Sequence, residues 1–151
     1  MESNKLIFNI SKALQSDVFK HLLDCNDSFY PPLNKRVDLA DYANKMVTKA
    51  ITFETWNDND LVGLIAIYVG EGTPKINFIT NVSVLPTHTG SGIASQLLKK
   101  CIDYSVDNKC FEIYLEVNKD NIPAISFYKK FNFVQSGIKN DNLVMKLALN
   151  K

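Results

Sequence analysis

Residues 84–100 read VLPTHTGSGIASQLLKK: the end of a β-like segment, a proline, a glycine-bearing run, and then a strongly helical stretch. Glycine loses more chain entropy on folding than any other residue, so two of them beside a helix start mark a backbone that must come close to something. The helix opens near Ser91 or Gly92 and buries Ile93, Leu97, Leu98, Cys101 and Ile102 on one stripe. Its first N–H groups and the positive end of its macrodipole point the same way, which favours an anion, and the candidate is a phosphate. A Walker A loop needs Lys-Ser or Lys-Thr after its last glycine, but Ile93-Ala94 stand there. A dinucleotide fingerprint needs a third glycine where Ser95 stands, and too few strands follow the loop. A loop that only turns the chain into a helix stays open.

Outward from this loop the hydrophobic period alternates between two and 3.6. Upstream, Ile76 to Val84 reads as a strand, and before it ITFETW and LVGLIAIYV form a hairpin about the polar turn Asn57-Asp58-Asn59-Asp60. Two helices precede the hairpin. One is capped by Ser11 and carries Leu14, Val18, His21, Leu22 and Cys25; the other is capped by Asp38 and carries Leu39, Tyr42, Ala43, Met46 and Val47. Leu6 to Ile10 is a short first strand, and Phe29-Tyr30-Pro31-Pro32-Leu33 breaks the chain between the helices. Downstream, Phe111 to Val117 is a strand, and Pro123 to Lys130 a helix opened by Asn121 as N-cap. Phe133 to Ser136 and Leu143 to Leu149 pair through a turn from Gly137 to Asn142. The order β-α-α-β-β-β-α-β-α-β-β predicts an α+β layer structure on a mixed sheet, antiparallel first with a parallel βαβ step later.

The whole chain limits the partners. Its 151 residues, 46% hydrophobic, suit one domain over 1–151 with a real core. Seventeen basic and sixteen acidic residues are spread along it, so no basic face points to nucleic acid or an anionic membrane. No apolar stretch approaches the ~20 residues of a membrane span, and a cytoplasmic location is expected. Cys25, Cys101 and Cys110 lack metal or disulfide spacing and read as reduced, mostly buried thiols; no metal is expected.

A second motif decides what the loop holds. Thr89-Gly90-Ser91-Gly92-Ile93-Ala94 fits the (Arg or Gln)-x-x-Gly-x-(Gly or Ala) signature, and Asn121, Ala124, Phe127, Tyr128, Lys130 and Phe133 fit Asn-x-x-Ala-x-x-(Phe or Leu)-Tyr-x-Lys-x-Gly-Phe. Together, over Asn81 to Phe133, they resemble the GCN5-related N-acetyltransferase family. Thr89 replaces the usual Arg or Gln. Asn132 replaces the usual glycine at a position that asks for a left-handed conformation, which Asn tolerates next best. The resemblance implies the three-layer αβα acyl-CoA N-acyltransferase fold and acetyl-CoA as cosubstrate. Its pyrophosphate would lie on the backbone of residues 89–94, and its pantetheine arm would pair with backbone near Val82 and Val84, where the fourth and fifth strands splay. It further implies Asn121 as a cofactor contact and Tyr128 as proton donor to the leaving thiolate.

The base is open. Many relatives carry a Glu on the fourth strand, but KINFITNVSV offers only Asn77, Thr80, Asn81 and Ser83. Glu116 is the candidate: in YLEVN it shares a face with Tyr114 and Asn118 near the C-terminal end of a central strand. Its spacing to Tyr128 resembles that in the ribosomal-protein alanine N-acetyltransferases. A strand Glu bound to neighbouring backbone, or a base made of ordered water, stays open. His88 reads as a solvent-facing loop histidine, and His21 and Trp56 as packing residues. The family's acceptor pocket implies a lining from Phe29 to Arg36 and from Gly137 to Asn142, with Phe29, Tyr30 and Arg36 as substrate contacts, for a small-molecule or peptide amine. A homodimer is left open. The alternatives are a non-catalytic acyl-CoA sensor or interaction module, motivated by Thr89 and the missing strand Glu, and an unrelated nucleotide-binding domain.

Overall fold

The period-two segments pair into one mixed sheet, described by a computed structural model over residues 5–149. In chain order the elements are β1 (Leu6–Ile10), α1 (Gln15–Cys25), α2 (Leu39–Lys49), β2 (Ile51–Asn57), β3 (Asp60–Tyr68), β4 (Ile76–Val84), α3 (Ile93–Asp107), β5 (Glu112–Asn118), α4 (Ile122–Lys130), β6 (Val134–Lys139) and β7 (Asn142–Ala148). The strands lie in the order β1-β2-β3-β4-β5-β7-β6. Among the described residues only β4 and β5 run parallel, joined by α3. Among the described residues no helix is long and apolar enough to cross a membrane.

Alternation along the strands feeds two cores, one on each face. Val18 and Leu22 of α1, Ala43 and Met46 of α2, and Leu64 and Ala66 of β3 fill one layer. Ile65 and Ile67 of β3 point the other way, onto Leu97, Leu98, Ile113 and Leu115, with Ile125 and Tyr128 of α4. Each fully buried aliphatic side chain contributes about 1.5–3 kcal/mol, so both helical layers are held to the sheet. Gly63 lets α3 come close, since a methyl group there would overlap the Ile93 side chain. The result is the three-layer αβα arrangement expected of the family.

Two irregularities in β4 shape the site. Ala66 pairs with Asn81 and Ile67 with Ile79, so Thr80 is an extra residue, a β-bulge. It reverses the alternation: Ile79 faces the α3 core, whereas Ser83 reaches α1. Further on, β4 and β5 pair only from Ile76–Glu112 to Ile79–Leu115 and then diverge. The β5-facing edge of β4 beyond Ile79 therefore has no strand partner.

Several local expectations shift. Ser11 does not cap α1: it lies in a left-handed turn (φ 52°), its N–H donating to the Thr52 carbonyl, and Leu14 is the N-cap. The cause is Glu54, whose carboxylate draws in the N–H groups of Lys12 and Ala13 and holds 11–13 against β2. Leu14 is 68% exposed rather than on the buried stripe. Phe133 belongs to the end of α4 and not to β6, and β6 runs on to Lys139, leaving only Asn140 and Asp141 as the turn to β7. Gly137 is thus a strand residue.

Candidate active site

Where β4 and β5 part, the fork opens into a cavity of about 600 Å³. Its walls come from four directions: Phe29, Tyr30 and Arg36 from the α1–α2 connection, Tyr42 and Lys45 from α2, Thr80 to Val82 from β4, and Glu116, Asn121 and Tyr128 from β5 and α4. It thus brings together Glu116, Tyr128, Asn121, Val82, Phe29, Tyr30 and Arg36, named from sequence. Val84 and residues 89–94 stand outside the lining. They continue the same path, since the free edge of β4 runs through Val84 into the turn Pro86–His88 and then the loop.

Tyr128 is fixed from both ends of its helix. Asn121 caps α4 by accepting from the Ala124 N–H at 3.3 Å, with Pro123 in the first turn. At the other end Asn132 adopts φ 74°, its N–H donating to the Lys129 carbonyl (3.0 Å), and the Phe133 N–H donates to the carbonyl of Tyr128 itself (3.1 Å). These two bonds form a Schellman cap, so Asn does the work of the usual glycine. Phe133, 1% exposed, packs its ring 5.8 Å from that of Tyr128, and Phe127 adds an edge contact at 5.3 Å. Burial pushes the Tyr128 phenol well above its ordinary value of 10.0, so at neutral pH it keeps its proton and is a donor.

Glu116 lines the same cavity from β5. Its β5 neighbours Leu115 and Val117 are buried on the other face, as the alternation predicts. Asn142 of β7 donates to Oε1 at 3.3 Å, and Lys139 of β6 approaches Oε2 at 3.6 Å. Its side chain stays 24% exposed. Much of the carboxylate's accepting capacity is therefore free for a group in the cavity.

In the glycine loop both glycines are needed for conformation rather than for space. Gly90 and Gly92 have φ of 81° and 85°, and an added methyl at either would meet nothing within 4 Å. Gly92 is the N-cap of α3 and has no side chain to occupy the first N–H groups. The Ser91 hydroxyl donates to the His88 carbonyl at 2.6 Å and the Thr89 hydroxyl to Pro86 at 3.2 Å, so both side chains brace the loop from within. His88 is half-buried against Asn57 rather than facing solvent.

The sequence reading missed part of the cavity wall. Tyr42, placed there on an apolar stripe, donates from its hydroxyl to the Thr80 carbonyl at 2.7 Å and braces the bulge. Tyr68 and Phe78 stack along the floor at 6.3 Å, with the Lys45 ammonium 5.1 Å from the Tyr68 ring. The signal for Lys45 was its place one turn from Tyr42 in DYANK. Of the predicted hairpin lining, Gly137 to Asn142, only Asn142 reaches the cavity.

These elements define the class. The acetyltransferase (GNAT) family pattern matches residues 16–133, and the chain belongs to that family. Among its relatives, the streptothricin acetyltransferase of Streptomyces lavendulae is 30% identical over 81 residues, which are 54% of this chain and 42% of the relative. The putative [ribosomal protein bS18]-alanine N-acetyltransferase of Bacillus subtilis is 26% identical over 133 residues, covering 83% of this chain and 79% of the relative. The structure of Arabidopsis thaliana NAA60 in complex with acetyl-CoA shares the fold with a TM-score of 0.76 at 18% identity, covering 97% of this chain and all of that one.

Proposed function

We propose that this chain is an acetyl-CoA-dependent N-acetyltransferase that moves acetyl directly to a primary amine of a small molecule or peptide. The observation that carries the reading is the fork itself. A carboxylate with spare accepting capacity and a proton-holding phenol line one cavity, at the unpaired edge of a strand that leads into a glycine loop and a helix N-terminus. Pyrophosphate fits that loop, whose backbone N–H groups have no competing side chain at the cap. The pantetheine arm, a chain with two amides, pairs with the β4 edge near Val82 and Val84 as an added strand would, which sets the thioester between Glu116 and Tyr128.

In this reading Glu116 takes a proton from the acceptor's ammonium, directly or through one water, and frees the lone pair. That lone pair forms the new C–N bond at the thioester carbonyl carbon. As the C–S bond breaks, the Tyr128 hydroxyl protonates the departing sulfur; the cationic nitrogen of the tetrahedral adduct gives up its second proton as the amide forms, and the phenol regains a proton from it or from solvent. Phe29, Tyr30 and Arg36 receive the acceptor. The acceptors in the names of two relatives, streptothricin and an alanine of ribosomal protein bS18 acetylated on nitrogen, support this class.

The test has two stages. CoA should raise the melting temperature, and Gly92→Glu should abolish the rise by placing a carboxylate where the pyrophosphate lies. Thiol release from acetyl-CoA should then depend on an added amine across a panel of amino acids, peptides and aminoglycosides. A CoA-induced shift with no amine-dependent release would make the chain a binding module instead.

A further inference from the structure

The cavity has a polarity that the chemistry above does not use. Its cations are Arg36 and Lys45, and its acids are Asp38, Asp41 and Glu116. Two of the acids serve α2: Asp38 is its N-cap, accepting from the Asp41 N–H at 3.0 Å, and Asp41 stands in its first turn, where the positive end of the helix meets the charge. Lys45 is not so engaged. Asp41 precedes it by four residues, the favoured order for a helical ion pair. Lys20–Asp24 and Lys99–Asp103 close such pairs at 3.0 and 3.3 Å. Lys45 forms no salt bridge among the described residues and lays its ammonium over the Tyr68 ring instead.

Tyr68 lines the same cavity and is itself incomplete. Its hydroxyl is buried and has no hydrogen-bond partner among the described residues. The hydroxyls of Tyr42 and Thr80, in the same wall, serve each other at 2.8 Å. A buried hydroxyl left in this way is costly and calls for a partner from outside the chain. An ammonium and a phenolic O–H gathered on one ring are donors, so they suit an oxygen anion and disfavour a second ammonium. Tyr68 pairs with Phe78 and Phe78 with Tyr114, so β4 separates this positive end from β5, which carries Glu116. Phe78, stacked on Tyr68, floors the space between them.

We propose that Lys45 and Tyr68 bind a carboxylate of the acceptor, so that the substrate class is an amine that also carries a carboxylate, held with its nitrogen at Glu116 and its anion over β3. This rests on the acetyl-transfer reading. A free amino acid and an acidic residue next to a peptide N-terminus offer the same group, and matched probes separate the two sources.

The first probe pair is L-2,4-diaminobutyrate and 1,3-diaminopropane, the second Ala-Asp-amide and Ala-Asn-amide; each pair sets an amine with a carboxylate against one without. In calorimetry with CoA present, the carboxylate member of one pair should bind roughly tenfold more tightly, the scale of one charge-assisted hydrogen bond, and kcat/KM in thiol release should rise to match. A preference in the first pair assigns a free amino acid, one in the second a peptide. Lys45→Met should remove the preference, Lys45→Arg should keep it and Tyr68→Phe should reduce it, while KM for acetyl-CoA stays. Lys49→Met deletes the same charge one turn further along α2 and should leave the preference intact. Equal binding within both pairs, or a preference that survives Lys45→Met or falls as far in Lys49→Met, overturns the proposal. A Lys45-dependent binding preference without thiol release from acetyl-CoA overturns the acetyl-transfer reading and leaves the carboxylate site standing.

Discussion

Two strand glutamates, Glu54 and Glu116, look alike in the sequence and are opposites in the fold. Glu54 on β2 is fully buried, and its carboxylate accepts from the backbone N–H groups of Lys12 and Ala13, the Thr52 hydroxyl and the Trp56 indole N–H. Glu116 has one amide donor and one distant lysine, and it faces a cavity. A carboxylate whose lone pairs are filled by its own chain holds structure together. One with accepting capacity left over is available to a ligand.

The largest expected effect breaks the first half of that comparison. Glu54→Leu leaves two backbone N–H groups and two side-chain donors without their acceptor, and each buried orphan costs about 1–3 kcal/mol. The variant should lose roughly 3 kcal/mol or more of stability, read as a lowered urea midpoint. A midpoint near wild type would mean that water replaces the carboxylate and that Glu54 is no anchor.

Glu116→Gln tests the other half. Its partners are exposed or weakly held, so stability should change by less than about 1 kcal/mol. Turnover should fall by ~10²–10⁴-fold, the range of general-base assistance, and partly recover as rising pH supplies amine already deprotonated. A variant within a few-fold of wild type at every pH would move the proton path into water. Tyr128→Phe should lower turnover by a smaller factor, since water can protonate a thiolate, while acetyl-CoA affinity holds because the ring still packs on Phe133. Wild-type turnover in that variant would remove the phenol from the mechanism.

The same contrast shows what a sequence reveals. The glycine loop, the Asn121 cap and Asn132 are local devices: each is required by the conformation of residues within one helical turn of it, so spacing alone exposes them. Glu116 was legible because strand alternation assigns faces. Glu54 was not. Its four donors lie partly 41 and 42 residues away, and its burial depends on how the 11–13 turn folds over β2. Tyr42 and His21 carry the same lesson, since a helical stripe marks which side chains turn inward but not whether a polar tip finds a carbonyl on a distant strand. The α1 start was misplaced for a related reason: Ser11 suits a helix cap locally, but tertiary contacts to Glu54 and Thr52 override that preference.

His21 of α1 sharpens the comparison, because it combines the two roles: its ring nitrogens lie 2.8 Å from the Leu61 carbonyl oxygen and from the Ser83 hydroxyl, engaged by the fold as the Glu54 oxygens are, yet Ser83 in turn donates to Asn81, which lines the cavity as Glu116 does. The expected effect is the smallest of the set and appears in stability against pH. Burial holds the folded pKa of His21 below the unfolded value of 6.5, so above that pH the ring is neutral in both states and nothing is lost. As pH falls through 6.5 the unfolded chain takes up a proton that the folded chain resists, and stability declines until the folded pKa is reached, then levels. The slope for one group is at most about 1.4 kcal/mol per pH unit. His21→Gln lacks this contribution while keeping every carboxylate, so subtracting its urea-unfolding curve from that of wild type isolates the histidine. The stability advantage of wild type should shrink as pH drops below 6.5. A gap that stays constant over that range would mean that His21 titrates alike in both states and that its burial carries no penalty for the charged ring.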